Sequence, residues 1–102
     1  METEATKLSA AVDRFLSSGK LNGTDPSVLA KAIDDRMRIE AQKSLKQALV
    51  SARRFARFAS TNPSPLPLTG YRVLARITHM SARHADAEQA YLKARALAKT
   101  DP

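Results

Sequence analysis

The sequence predicts an all-α fold of antiparallel helical hairpins, with about four helices and one of them long and central. Three observations lead there. Alanine fills 18 of the 102 positions, and it has the best helix propensity of any residue. Apolar residues recur at steps of three and four along most of the chain, which is the period of a helix packed on one face. No segment carries the alternating pattern of a strand. The same composition, 43 % hydrophobic and rich in alanine, predicts a thin core of small side chains. Modest stability is expected too, because short chains bury a smaller share of their surface. The length suits one structural domain or the leading piece of a larger array.

The first helix is predicted from Thr3 to Ser18, with Leu8, Ala11, Val12, Phe15 and Leu16 on one face. "SSGKLNG" ends it, its glycines suited to cap and turn conformations. Residues 1–23 thus read as an N-terminal capping helix and turn. "TDPSV" starts the second helix: Thr24 or Asp25 can cap it, and Pro26 fits the first helical position. From Ser27 to Thr61 there is no Gly and no Pro. Leu29, Ile33, Met37, Ala41, Leu45, Ala48, Leu49, Ala52, Phe55, Ala56 and Ala59 make one stripe, and a continuous helix of roughly 50 Å is expected at 1.5 Å per residue. The alternative is a break near Gln42–Ser44, where "AQKSLKQ" holds no strong breaker. "NPSPLPLTG" is read as an ordered or extended connector, because Pro cannot continue a helix interior. Thr69 is the expected cap of a third helix over about Gly70–Ala82. "SARHAD" makes a turn, and a fourth helix covers about Ala85–Lys99.

The net charge is +7, unevenly spread. Residues 36–57 hold seven basic side chains against Glu40 alone, whereas residues 1–35 hold four against six acids. A cationic block of this kind attracts polyanions by its field, although a solvated helix face would read the same way. There is no cysteine, hence no disulfide framework and no thiolate metal site. The cytoplasm is the expected compartment. No apolar run approaches the roughly 20 residues of a membrane span, and "METEATKLSA" is acidic without an apolar core, which reads as an authentic start rather than a secretory signal.

No catalytic constellation is visible. His79 and His84 flank the predicted turn without the three or four converging ligands a metal needs. "GKLNGT" lacks the spacing and the strand of a phosphate loop. The expectation is a protein that is no enzyme and uses no cofactor, no metal and no membrane contact.

In "YRVLARITHMSARHADAEQAYLKARA", large and small residues alternate at fixed intervals: Tyr71, Leu74 and Ala75, then Ala87, Tyr91 and Ala94, with a terminal Asp101-Pro102. This stretch resembles a tetratricopeptide repeat, a helix-turn-helix unit of about 34 residues. Thr78 stands where that family has an aromatic, Ala82 replaces its turn glycine, and the last helix is longer than usual. The resemblance implies that residues 64–102 form a hairpin whose small residues permit a close helix crossing. A fainter echo aligns "ALVSARRFARFASTNP" (Ala48–Pro63) with "AEQAYLKARALAKTDP" (Ala87–Pro102), so residues 24–63 read either as a long basic helix or as a degenerate repeat. Arrays of this kind stack about three repeats. The chain is therefore expected to continue into a longer array, or to form a homodimer that covers the open face of its last helix.

In the family the first helix of each hairpin lines a concave groove. The resemblance would then put Arg72, Arg76 and His79, spaced four and three apart, on the groove side. Guanidiniums one turn apart can each fork onto a carboxylate. Function is thus expected to be protein–protein interaction, a scaffold that binds an acidic or carboxylate-bearing peptide or partner domain. Two alternatives stay open. One is nucleic-acid binding through a basic patch of Lys43, Lys46, Arg53, Arg54 and Arg57, with affinity falling steeply in salt. The other is a self-assembling structural domain.

Overall fold

A computed structural model describes residues 3–100. Met1 and Glu2, and the Asp101-Pro102 pair of the repeat pattern, lie outside the described residues. The described chain is all-helical, in five helices: α1 (Glu4–Ser18), α2 (Pro26–Lys43), α3 (Leu45–Ala59), α4 (Leu66–Met80) and α5 (His84–Thr100).

α1 starts where Thr3 Oγ1 accepts the Thr6 N–H at 3.1 Å. It stops at Gly19, which turns left-handed at φ 74° and donates its N–H to the Phe15 carbonyl. Gly19 is required twice over, since a Cβ there would meet the Phe58 ring at 2.8 Å. Asn62 fastens this corner: its amide donates to the Gly19 carbonyl at 3.3 Å and the Phe58 carbonyl at 2.7 Å. Asp25 takes the N-cap position of α2 with Pro26 directly after it, although the Asp25 side chain makes no capping bond.

The continuous central helix is corrected: the chain breaks at Ser44. There the backbone becomes extended (φ −156°, ψ 106°), and the residue serves both ends. Its N–H donates to the Glu40 carbonyl at 2.8 Å and closes α2. Its hydroxyl accepts the Gln47 N–H at 3.3 Å and opens α3. Ser-x-x-Gln is a capping signature, so "SLKQ" carried a start signal strong enough to interrupt the apolar stripe. The helix count is accordingly five rather than about four.

A second correction concerns α4, which begins at Leu66 rather than Gly70. Prolines are tolerated in a first turn, where N–H groups have no helical acceptor. Pro65 takes the N-cap position and Pro67 the first turn. Thr69 therefore sits inside the helix, donating its N–H to the Pro65 carbonyl at 3.0 Å. This start brings Gly70 to mid-contact with α3, where a Cβ would lie 3.1 Å from Ala56 Cα and 3.0 Å from Ala59 Cβ. The turn after α4 contains Ala82 at φ 59°, a left-handed residue where glycine would carry no steric penalty.

The core is larger in side chains than the composition suggests. Phe15, Leu29, Ile33, Met37 and Phe55 are fully buried among α1, α2 and α3, joined by Leu66, Val73 and Ile77 from α4. Phe15 meets Phe55 and Phe58 edge-on, with ring centroids 6.0 and 6.4 Å apart. α4 packs against α2, α3 and α5, while α5 packs against α4 alone among the described residues. The α5 side of that contact is Ala87, Ala90 and Ala94. The molecule measures 45 × 34 × 19 Å, so it is about two helix diameters thick. Among the described residues, no helix is long and apolar enough to cross a membrane.

Candidate interaction surfaces

By helical spacing Arg72, Arg76 and His79 share one side of α4, but they are not equivalent. Arg76 reaches across and donates from Nη2 to Asp34 Oδ1 at 2.7 Å, with both side chains about 70 % covered (27 % and 29 % exposed). Asp34 also faces Arg38 Nε at 3.6 Å. One carboxylate is thus held between two guanidiniums. Arg72, one turn away, is exposed with no ion-pair partner among the described residues. His79 is exposed at the far end, its ring 5.6 Å from the His84 ring across the turn. No group of three His, Cys, Asp or Glu side chains able to hold a metal converges among the described residues.

The basic patch divides. Lys43 ends α2 and lines a groove of about 740 Å³ between α1 and α2, with Leu8, Val12 and Ile39. Lys46, Arg53, Arg54 and Arg57 are exposed on the outer face of α3, which contains no acidic residue at all. Val50, 51 % exposed, stands among them. Arg57 lies over the Phe58 ring at 5.6 Å, and Arg53 approaches Asp86 of α5 at 3.8 Å. The apolar face of α3 (Ala48, Leu49, Ala52, Phe55, Ala56 and Ala59) is buried in the core, which leaves its cations outside together.

One feature was not anticipated. Asp34 is the acceptor that engages Arg76; its i,i+4 spacing to Arg38 was readable, its pairing with α4 was not. Tyr91 and Leu92 are 52 % and 57 % exposed on α5. Tyr91, Leu92 and Arg95 line a cleft of about 280 Å³ that also takes in His79 and His84. Comparisons with protein-family models, with curated proteins and with solved structures found no match.

Proposed function

We propose that this chain is a non-catalytic, tetratricopeptide-like interaction module of the cytoplasm that holds an acidic segment of a protein partner on its α2–α4 face. The observation that carries the reading is the imbalance on that face. Arg38 and Arg76 stand there against Asp34, and Arg72, one turn from Arg76, is exposed with no ion-pair partner among the described residues. A guanidinium forks onto a carboxylate with two parallel bonds. The packing of α4 against both α2 and α3 supports the repeat-like arrangement.

The test is anisotropy of a fluorescein-labelled hexaglutamate peptide with the wild type and Arg72→Glu. About tenfold weaker binding with unchanged helicity is expected, the loss of one charge-assisted fork. Unchanged affinity would remove Arg72 from the site. Arg76→Glu is the wrong probe, because it would set a second carboxylate against Asp34 and disturb the fold.

One observation favours a second reading. The ridge of Lys46, Arg53, Arg54 and Arg57, on a helix with no acidic residue of its own, suits the phosphates of a nucleic acid. Four phosphate contacts would weaken binding about a hundredfold between 50 and 200 mM salt. Anisotropy with single-stranded and duplex oligonucleotides at both salts decides between the two. Self-association through Tyr91 and Leu92 would appear as a mass that rises with concentration.

A further inference from the structure

The ridge of α3 and the outer edge of α5 both overlook α4, yet the two helices do not pack against each other among the described residues. Between them lies a cleft of about 230 Å³. Its floor is Tyr71, Leu74 and Thr78, spaced along one side of α4. Its walls are Arg53 from α3 and Asp86, Gln89 and Lys93 from α5, with the small side chain of Ala90 between them.

The polar groups of this cleft are poorly matched to one another. Arg53 and Asp86 stand 3.8 Å apart with half of each side chain exposed, too long for a hydrogen bond. The Lys93 ammonium stands over the Tyr71 ring at 5.3 Å and has no carboxylate partner among the described residues. The Thr78 hydroxyl is turned to its own helix, donating toward the Leu74 carbonyl at 2.7 Å, so it does not compete for a ligand. Two cations and one carboxylate leave a single positive charge, arranged above an aromatic face and a leucine.

We infer that this cleft is a second binding site, specific for a carboxylate joined to a short apolar group, such as an acidic residue of a peptide. The carboxylate takes the fork of Arg53, the Lys93 ammonium two turns further along α5 from Asp86 adds its positive field, and the methylenes lie on Tyr71 and Leu74. A monoanion matches the net charge of the cleft. A phosphate dianion would add a further negative charge facing Asp86. The inference extends the proposal of an acidic partner to a face that Arg72 does not touch. The ligand carboxylate can come from a side chain or from a chain terminus.

The experiment is an NMR titration of the full chain with three small peptides. Acetyl-Leu-Glu-Leu amide carries a side-chain carboxylate, acetyl-Leu-Gln-Leu acid carries a terminal one, and acetyl-Leu-Gln-Leu amide carries none. The charged peptides are expected to shift the Arg53 Nε–H, the Gln89 side-chain amide and the Leu74 methyls; the tighter of the two identifies the source. Arg53→Gln should weaken binding about tenfold, the loss of a charge-assisted fork. Asp86→Asn should tighten it about threefold, by removing the carboxylate that competes for Arg53. Equal shifts from the neutral peptide, no shifts at these groups, or indifference to Arg53→Gln would each overturn the site. Arg72→Glu should leave these shifts unchanged. If hexaglutamate binding depends on Arg72 while this cleft stays silent, the inference fails and the broader proposal stands.

Discussion

Phe15 of α1 and Ala90 of α5 are both buried, at 0 % and 3 % exposure, but they remove very different areas from water. An aromatic side chain buries on the order of 150–250 Å², at roughly 25 cal/mol per Å². An alanine contributes one methyl group. The bundle of α1, α2 and α3 with the inner face of α4 is therefore held by large side chains meeting in one place. The α4–α5 contact is held by small residues that let the helices approach. α5 packs on no second helix among the described residues, and apart from its small-residue contact with α4 it meets the bundle through the half-exposed Arg53–Asp86 pair at 3.8 Å. Local opening should begin there, since regions with few buried apolar contacts open at the lowest free energy. The exposed Tyr91 and Leu92, and the clefts on both flanks of α5, have the same cause. A helix with one neighbour leaves its other faces free to bind.

The comparison can be broken first at its strong side. Phe15→Ala should cost about 3–5 kcal/mol, read as a lower urea midpoint for the whole chain, because the ring contacts of Phe55 and Phe58 are lost together. A loss confined to α1 would mean that the bundle is not one cooperative unit. The thin side responds to a smaller push. Ala94→Leu should cost about 1–3 kcal/mol by overpacking, and hydrogen exchange should show the lost protection in α5 while α1–α3 keep theirs. Uniform loss would deny α5 its independence. The smallest change sharpens the comparison in the other direction. Ala82→Gly should stabilise the chain by about 1 kcal/mol, read as a higher urea midpoint, by relieving a left-handed alanine in the turn that joins α4 to α5. A lower midpoint would show that unfolded-state entropy outweighs the strain.

How far the sequence carried the structure can be judged residue by residue. The limits of α1 and α5 were readable because each is bounded by local chemistry: Thr3 and Gly19 at one, the Ser81–Arg83 turn before the other. Ser44 was misjudged because an unbroken apolar stripe outweighed a capping pattern that is weaker per residue but decisive in place. The α4 start was misjudged because three prolines in five residues suggest an extended connector, whereas Pro67 sits in a first turn that does not need its N–H. Among the site residues, the basic patch was read as Lys43, Lys46, Arg53, Arg54 and Arg57 together; the break at Ser44 leaves Lys43 on α2 and the other four on α3. The engagement of Arg76 by Asp34 was not legible, since 42 residues separate them.

By itself the sequence determined the helical class, the cationic excess of the middle segment and the alternation of large and small residues over 71–94. These depend on propensity, charge and period, which act within a few residues of one another. Tertiary structure alone decided which cations are paired within the fold. Arg72 and Arg76 are one turn apart and chemically identical, yet a carboxylate from α2 meets one and leaves the other exposed. The cleft between α3 and α5 is of the same kind. It exists because both helices chose α4 as a neighbour and not each other, and packing choices of that sort are settled by the shape of the whole core.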